Sequence, residues 1–245
     1  MLKDHPYLYP YSKEDARRSK ELDRWQESFA HNVQCARDIE SAIRGNYEND
    51  TIREGCAQSV LNQYGFKRVN FVLANSVKQT GGADRIAIDN LRWAQAMYIP
   101  GDGKHNRYYT VDTAAPLLDA FVRQAREAYQ ALGLFGPEHC AGDRSRQDFT
   151  GKVLVLSPNT LRETCWKQHD QLWYAHDGFG CRPNAIGRSI RSTCLGDGEM
   201  TRWNRSDFTG VLDEQYLPDW AREKLEELRG PMQEQNSGPT MGGMA

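Results

Sequence analysis

Reactive side chains come first. Cys181 ends the run Gly178-Phe179-Gly180-Cys181, and His176 and Asp177 stand just before it. A cysteine nucleophile needs a base beside it, and flanking glycines let a substrate approach closely. The plainer reading is a tight turn whose thiol fills a small slot in the core. Cys165 and His169 are four apart, and His176 and Cys181 are five apart. Together they could in principle supply zinc ligands, but structural zinc sites use tighter Cys-x2-Cys hooks. No metal and no cofactor is expected. Gly101-Asp102-Gly103-Lys104 lacks the spacing of a phosphate-binding loop and follows a helix rather than a strand.

Arginines form the stronger cluster. Arg182, Arg188, Arg191, Arg202 and Arg205 fall in one stretch where Asp197 and Glu199 are the only acids, and Trp203 lies among them. Guanidinium forks match phosphate geometry, and an indole can stack a base. The competing reading is a solvated hairpin with its arginines paired to nearby acids. Upstream, Arg17, Arg18, Lys20 and Arg24 interleave with Glu14, Asp15, Glu21 and Asp23, the pattern of a salt-bridge-laced helix face.

These residues must be positioned by elements of two kinds. Ser12 and Asp15 form a capping-box start. Leu22, Trp25, Phe29, Val33, Ala36, Ile39 and Ile43 then recur at threes and fours, so one long helix is predicted over 13–44, with Gly45 as its stop. At 1.5 Å per residue it would be about 45 Å long. Trp25 and Phe29 read as core. Thr51 and Glu54 form a second box, opening a helix that Gly65 ends. A third helix ends at Thr80-Gly81-Gly82, a fourth runs from about Asp84 to Met97, and 107–111 is at most a short strand. Thr113, with Pro116 in the first turn, opens another helix closed by Gly133.

After that the period changes. Residues 136–147 read as a linker. Short strands are predicted over 152–156, 171–175, 188–195, 199–205 and 208–212, and a helix over 218–229 with Trp220, Ala221, Leu225 and Leu228 inward. Asp197-Gly198 is a hairpin signal, and a two-residue turn there sets Leu195 opposite Met200 and Ser192 opposite Trp203. Asp-Phe-Thr-Gly occurs at 148–151 and again at 207–210, read as two strand entries. The fold class is therefore α+β. A helical domain with one long helix spans 1–135, and a small antiparallel-sheet domain with a C-terminal helix spans 148–229. A tail follows over 230–245.

Composition narrows the function. The 245 residues are 39% hydrophobic, 26% charged and 10% aromatic, an ordinary globular balance. A net charge of -2 is too balanced for a chain whose whole surface grips nucleic acid. No run approaches the roughly 20 apolar residues that span a bilayer. The N-terminus has no apolar signal core. Six scattered cysteines suit reduced thiols, so a cytoplasmic setting is expected.

Several stretches carry a family resemblance. They are Leu8-Tyr9-Pro10-Tyr11, the run from Gly65 to Asn75, Asp84-Arg85 and Asn90 to Ala94. In the second part they are Gly178 to Cys181, Gly187-Arg188, Asp197-Gly198-Glu199 and Arg205 to Val211. With these the chain resembles, over roughly 8–229, a domain-of-unknown-function family carried by conjugative elements and phages of gut Firmicutes, often within large polyvalent proteins. Residues 82–86 depart from the family pattern. The resemblance implies a mobile-element setting and no particular activity. The expectation is a non-enzymatic accessory or counter-defence protein that binds a protein partner. One alternative is nucleic-acid binding through the hairpin arginines and Trp203. Another is a cysteine-dependent enzyme centred on Cys181.

Overall fold

The computed structural model describes residues 5–80 and 85–230. The predicted helix end at Gly81-Gly82, the helix start at Asp84 and the tail from 231 onward lie outside them. The architecture is α+β: helices first, then an antiparallel sheet with a C-terminal helix. Two compact units divide between Leu132 and Gly133. Among the described residues no helix is long and apolar enough to cross a membrane.

The predicted 13–44 helix is two helices in the first unit, α1 (Lys13–Arg18) and α2 (Leu22–Gly45). Lys20 adopts a left-handed φ of 59°. The Lys20 N–H donates to the Arg17 carbonyl at 3.2 Å, and the Glu21 N–H to the Ala16 carbonyl at 2.8 Å. That pair of bonds is a Schellman stop, normally built on glycine. The second capping box is also replaced. Tyr47–Glu48 (β1) and Thr51–Ile52 (β2) form a hairpin around Asn49-Asp50, both at positive φ. Asn and Asp tolerate that conformation, so the tight turn wins over the cap.

Helix α3 (Cys56–Gln79) breaks at Gly65, where φ is 77° and ψ 163°. α4 spans Ile88–Ala96 and α5 Ala115–Gln130. The stretch read as a short strand is instead a 3-10 turn, Gly103–Tyr109. The core joins Cys35, Ile39 and Ile43 of α2 to Val69, Val72 and Leu73 of α3 and to Leu118, Phe121 and Val122 of α5, all buried.

In the second unit a six-stranded antiparallel sheet has the order β3-β8-β4-β5-β6-β7. The strands are β3 (Cys140–Ala141), β4 (Val153–Leu156), β5 (Leu172–Asp177), β6 (Arg188–Cys194), β7 (Met200–Asn204) and β8 (Phe208–Leu212). A one-turn helix α6 (Gln168–Gln171) precedes β5, and α7 (Asp219–Arg229) follows the sheet. The segment read as a linker thus contributes an edge strand, Cys140–Ala141, paired with Leu212 and Val211.

Ala221 and Leu225 of α7 cover one sheet face with Val155, Leu172 and Tyr174. Loops cover the other, burying Phe149, Leu154, Leu156, Trp173, Cys181, Ile190 and Phe208. The two Asp-Phe-Thr-Gly copies meet there, with the rings of Phe149 and Phe208 edge to face at 6.3 Å.

The hairpin register differs from the two-residue turn. Thr193 pairs with Met200, Ser192 with Thr201 and Ile190 with Trp203. Leu195 is buried, and its N–H donates to the Leu172 carbonyl at 2.8 Å. That bond holds Leu195 on β5, so the loop widens to residues 195–198, closed by the Cys194 N–H on the Glu199 carbonyl at 2.8 Å.

Candidate functional site

Cys181 and His176 do not meet. Cys181 packs with Trp173 and Ala175 on the loop-covered face. His176 lies across the sheet, its ring 4.9 Å from that of Tyr174 and its Nε2 2.7 Å from the Thr193 hydroxyl. Burial pushes the Cys181 thiol above its ordinary pKa, which opposes thiolate formation. In the folded protein we expect iodoacetamide to label Cys181 more slowly than a free thiol in a model peptide, with equal rates only after denaturation. Mass-spectrometric peptide mapping over time reads this directly. His169 stacks on Trp220 at 4.0 Å, also away from Cys181. Among the described residues no group of three or more His, Cys, Asp or Glu side chains could hold a metal.

The structure divides the predicted arginine set. Arg205 is buried, at 6% exposure. Its guanidinium donates to the carbonyls of Cys181 (3.0 Å), Arg182 (3.2 Å), Gly180 (3.4 Å), Gln147 (2.5 Å) and Arg144, and lies 3.7 Å from the centre of the Phe149 ring. It is a tie between two loops, with both terminal nitrogens committed to backbone carbonyls. Trp203 is likewise no free stacking platform: it is half-buried and meets Trp173 edge to face at 5.3 Å. Both corrections have one cause. A residue's place in an arginine-rich stretch does not reveal which face of the sheet it points to.

The remaining arginines stay outside. Arg191 and Arg202 stand directly opposite each other on β6 and β7. Arg191 bonds Asp177 at 2.6 Å, with both side chains at least half exposed. Arg182 is exposed, its guanidinium 5.9 Å from the Phe179 ring centre. Arg188 opens β6 opposite Asn204, and its side chain lies outside the described ones.

The first unit holds a second candidate, largely unforeseen. Trp25 and Phe29 stack at 5.0 Å, and His105 meets both edge to face at 5.5 and 5.9 Å. Tyr108 lies 6.3 Å from Phe29 and is 63% exposed. On the other side Tyr7, Tyr9 and Tyr11 form an edge-to-face chain at 6.4 and 5.7 Å, with Tyr7 and Tyr11 more than half exposed. Tyr9, Tyr11, Trp25, Phe29 and Tyr109 line one pocket with Asp102, whose volume of about 10 Å³ suits a single water. The sequence reading of Trp25 as core holds, at 7% exposure, but half-buried Phe29 borders solvent.

Polar groups under this face are committed to holding it. Asp102 accepts from the Lys13 backbone N–H at 2.7 Å and from the Trp25 indole at 3.3 Å. The His105 Nδ1 faces the Asp102 carbonyl at 3.1 Å, and a carbonyl only accepts, so Nδ1 carries the proton. Its Nε2 is then free to accept from the Lys13 ammonium at 3.4 Å. The Tyr9 hydroxyl donates to Glu21 at 3.0 Å; burial first, and then that carboxylate, raise the phenol's pKa.

Arg68 and Asn75, motif residues of the resemblance, support this arrangement. Arg68 is 1% exposed and donates to the carbonyls of Ser28 (2.9 Å), Pro6 (3.1 Å) and Tyr7 (2.8 Å), and to the Asn32 side chain. It therefore clamps the tyrosine segment onto α2. Asn75 bonds the Asn106 carbonyl at 2.8 Å, and Ser76 accepts from the Val111 N–H at 2.9 Å, fixing the turn that carries His105 and Tyr108. Asn90 donates to Asp119 at 2.7 Å and accepts from Arg126 at 2.5 Å, joining α4 to α5.

No curated protein and no solved structure matches the chain. A family model described as protein of unknown function (DUF3849) matches residues 8–130, a stretch that holds all of the aromatic face but Tyr7, and the chain belongs to that family.

Proposed function

We propose that the chain is a non-enzymatic accessory or counter-defence protein of mobile genetic elements, acting in the cytoplasm by binding another protein through the aromatic face of its first unit. The observation behind this is the set of exposed Tyr7, Tyr11 and Tyr108 around half-buried Phe29 and His105. Aromatic side chains are enriched at protein interfaces and dominate their hot spots. Here Phe29 sits on α2, His105 and Tyr108 on a braced turn, and Tyr7 in a segment that Arg68 clamps, so little freedom is lost on docking. The mobile-element setting is supported by the resemblance of the motifs, and the family match covers residues 8–130 of the unit that bears this face.

The test is a pull-down from the native host with the whole chain and with a Tyr11→Ala, Tyr108→Ala double variant. A partner identified by mass spectrometry with the wild type should lose about tenfold or more in affinity with the variant, since each hot-spot truncation costs on the order of 1–2 kcal/mol. A partner that binds the folded double variant as tightly as the wild type would sink the reading.

A further inference from the structure

The sheet of the second unit ends differently on its two sides. One edge, β3, is two residues long, and so short an edge offers little to pair with. The other edge, β7, has five residues, Met200–Asn204, and no proline among them. The register shows which of its main-chain groups face outward. The Cys194 N–H donates toward β7, to the Glu199 carbonyl, and the Leu195 N–H toward β5, to the Leu172 carbonyl. Main-chain groups alternate in direction along a strand, so Ser192 and Ile190 also turn theirs to β7, where they meet Thr201 and Trp203. Met200 and Arg202 therefore point N–H and C=O away from the sheet. The Asn204 N–H shares that direction and is capped by the Asp207 carboxylate at 2.8 Å. Among the described residues no strand and no side chain caps the groups of Met200 and Arg202.

The side chains along this edge select what can pair with it. Thr201 and Trp203 turn to the loop-covered face, where Trp203 packs half-buried against the apolar cluster. Met200 and Arg202 turn to the other face and are exposed, Met200 at 63%. On that face Arg191 stands directly opposite Arg202. Arg191 bonds Asp177 at 2.6 Å, while among the described residues Arg202 has no ion pair. Like charges at opposite strand positions repel, and a carboxylate beside Arg202 offsets that repulsion. A second copy of β7 would bring further arginine instead. The edge is thus set against its own kind and suited to an acidic strand.

We infer that β7 is extended by a strand of another protein, an extended segment that alternates acidic and apolar side chains. Its main chain bonds Met200 and Arg202, its carboxylates lie beside Arg202 and Arg191, and its apolar side chains lie beside Thr201 and Trp203. Strand addition takes affinity from the main chain and specificity from alternate side chains. This surface shares no residue with the aromatic face, so either can fail without the other.

Fluorescence anisotropy with the whole chain and labelled peptides of about eight residues tests it, a length that spans β7 at about 3.3 Å per residue. One peptide alternates glutamate and valine, and a second carries lysine for glutamate. The acidic peptide should bind at low salt, at least about tenfold more tightly than the basic one. Two further acidic peptides are N-methylated on alternate amides, one on the glutamates and one on the valines. Only one of these two should bind, because a strand turns alternate N–H groups to one edge. Arg202→Glu should reverse the preference between acidic and basic peptides. Met200→Pro should weaken binding about fivefold through the loss of one hydrogen bond, and it should keep the fold because an outward-facing edge position tolerates proline. No binding of the acidic peptide at low salt, equal binding of the two methylated peptides, or an unchanged preference in folded Arg202→Glu would each overturn the inference. A wild-type dimer that Met200→Pro dissociates would assign the edge to a second copy and overturn it as well.

Discussion

Replacing Arg205 by alanine should unfold or severely loosen the second unit while leaving the first intact. The guanidinium bonds five backbone carbonyls from two loops, 144–147 and 180–182, at a site 6% exposed. Without it the carbonyls of Arg144, Gln147 and Gly180 lose their donor, while those of Cys181 and Arg182 keep the N–H groups of Phe149 and Ala185. Each unsatisfied buried group costs about 1–3 kcal/mol, so the total should be at least about 3 kcal/mol. For a unit of this size that corresponds to roughly 12 °C or more in Tm. Arg205→Lys should recover little, because an ammonium has three donors on a point charge and cannot span both loops as a planar fork does. Calorimetry should show one of two transitions shift. An unchanged thermogram for the alanine variant would mean that the loops do not depend on this tie.

Arg68→Ala should have the matching effect in the first unit. Arg68 holds the carbonyls of Pro6 and Tyr7 on one side and that of Ser28 on the other. Tyr9 sits 4% exposed beneath the same segment, its N–H on the Ser28 hydroxyl at 2.9 Å. Losing the clamp should cost about 3 kcal/mol by the same reasoning and free the segment 5–11 before the helices melt. Limited proteolysis should then cut near Tyr7 and Tyr11 in the variant under conditions where the wild type resists. The variant should also lose its partner, because two of the exposed tyrosines would no longer be held in place. Wild-type resistance at those tyrosines in the Arg68→Ala protein would contradict the clamp.

Much of the frame was legible in the sequence because burial writes itself as periodicity. The stripe through Ala36, Ile39 and Ile43, the apolar run Val153–Leu156 and the inward set of α7 all mark elements that the structure has. What was not legible depended on partners distant in the chain. Lys20 has no local feature that announces a left-handed stop. The helices on either side of it still bury Ala16 and Trp25 in one cluster with Tyr9. The Asn49-Asp50 turn did carry a local signal, which the Thr51 cap obscured.

The candidate sites failed in the same way. Arg205 and Arg202 look alike in sequence, yet a fork of carbonyls from residues 144–182 buries the first and leaves the second outside. Trp203 alternates with Arg202 along β7, so one faces the loop-covered core and the other the opposite side. The aromatic face was hidden because its rings come from 7–11, 25–29 and 105–109, three stretches that only the fold assembles.

The central claim is that the first unit's aromatic face is where a protein partner docks. Hydrogen–deuterium exchange of the whole chain, with and without the captured partner, tests it most directly. The account predicts slowed exchange in 7–11, the first turns of α2 around 25–29, and the turn 103–109. Protection confined to other parts of the chain, with those three stretches unchanged, would contradict it.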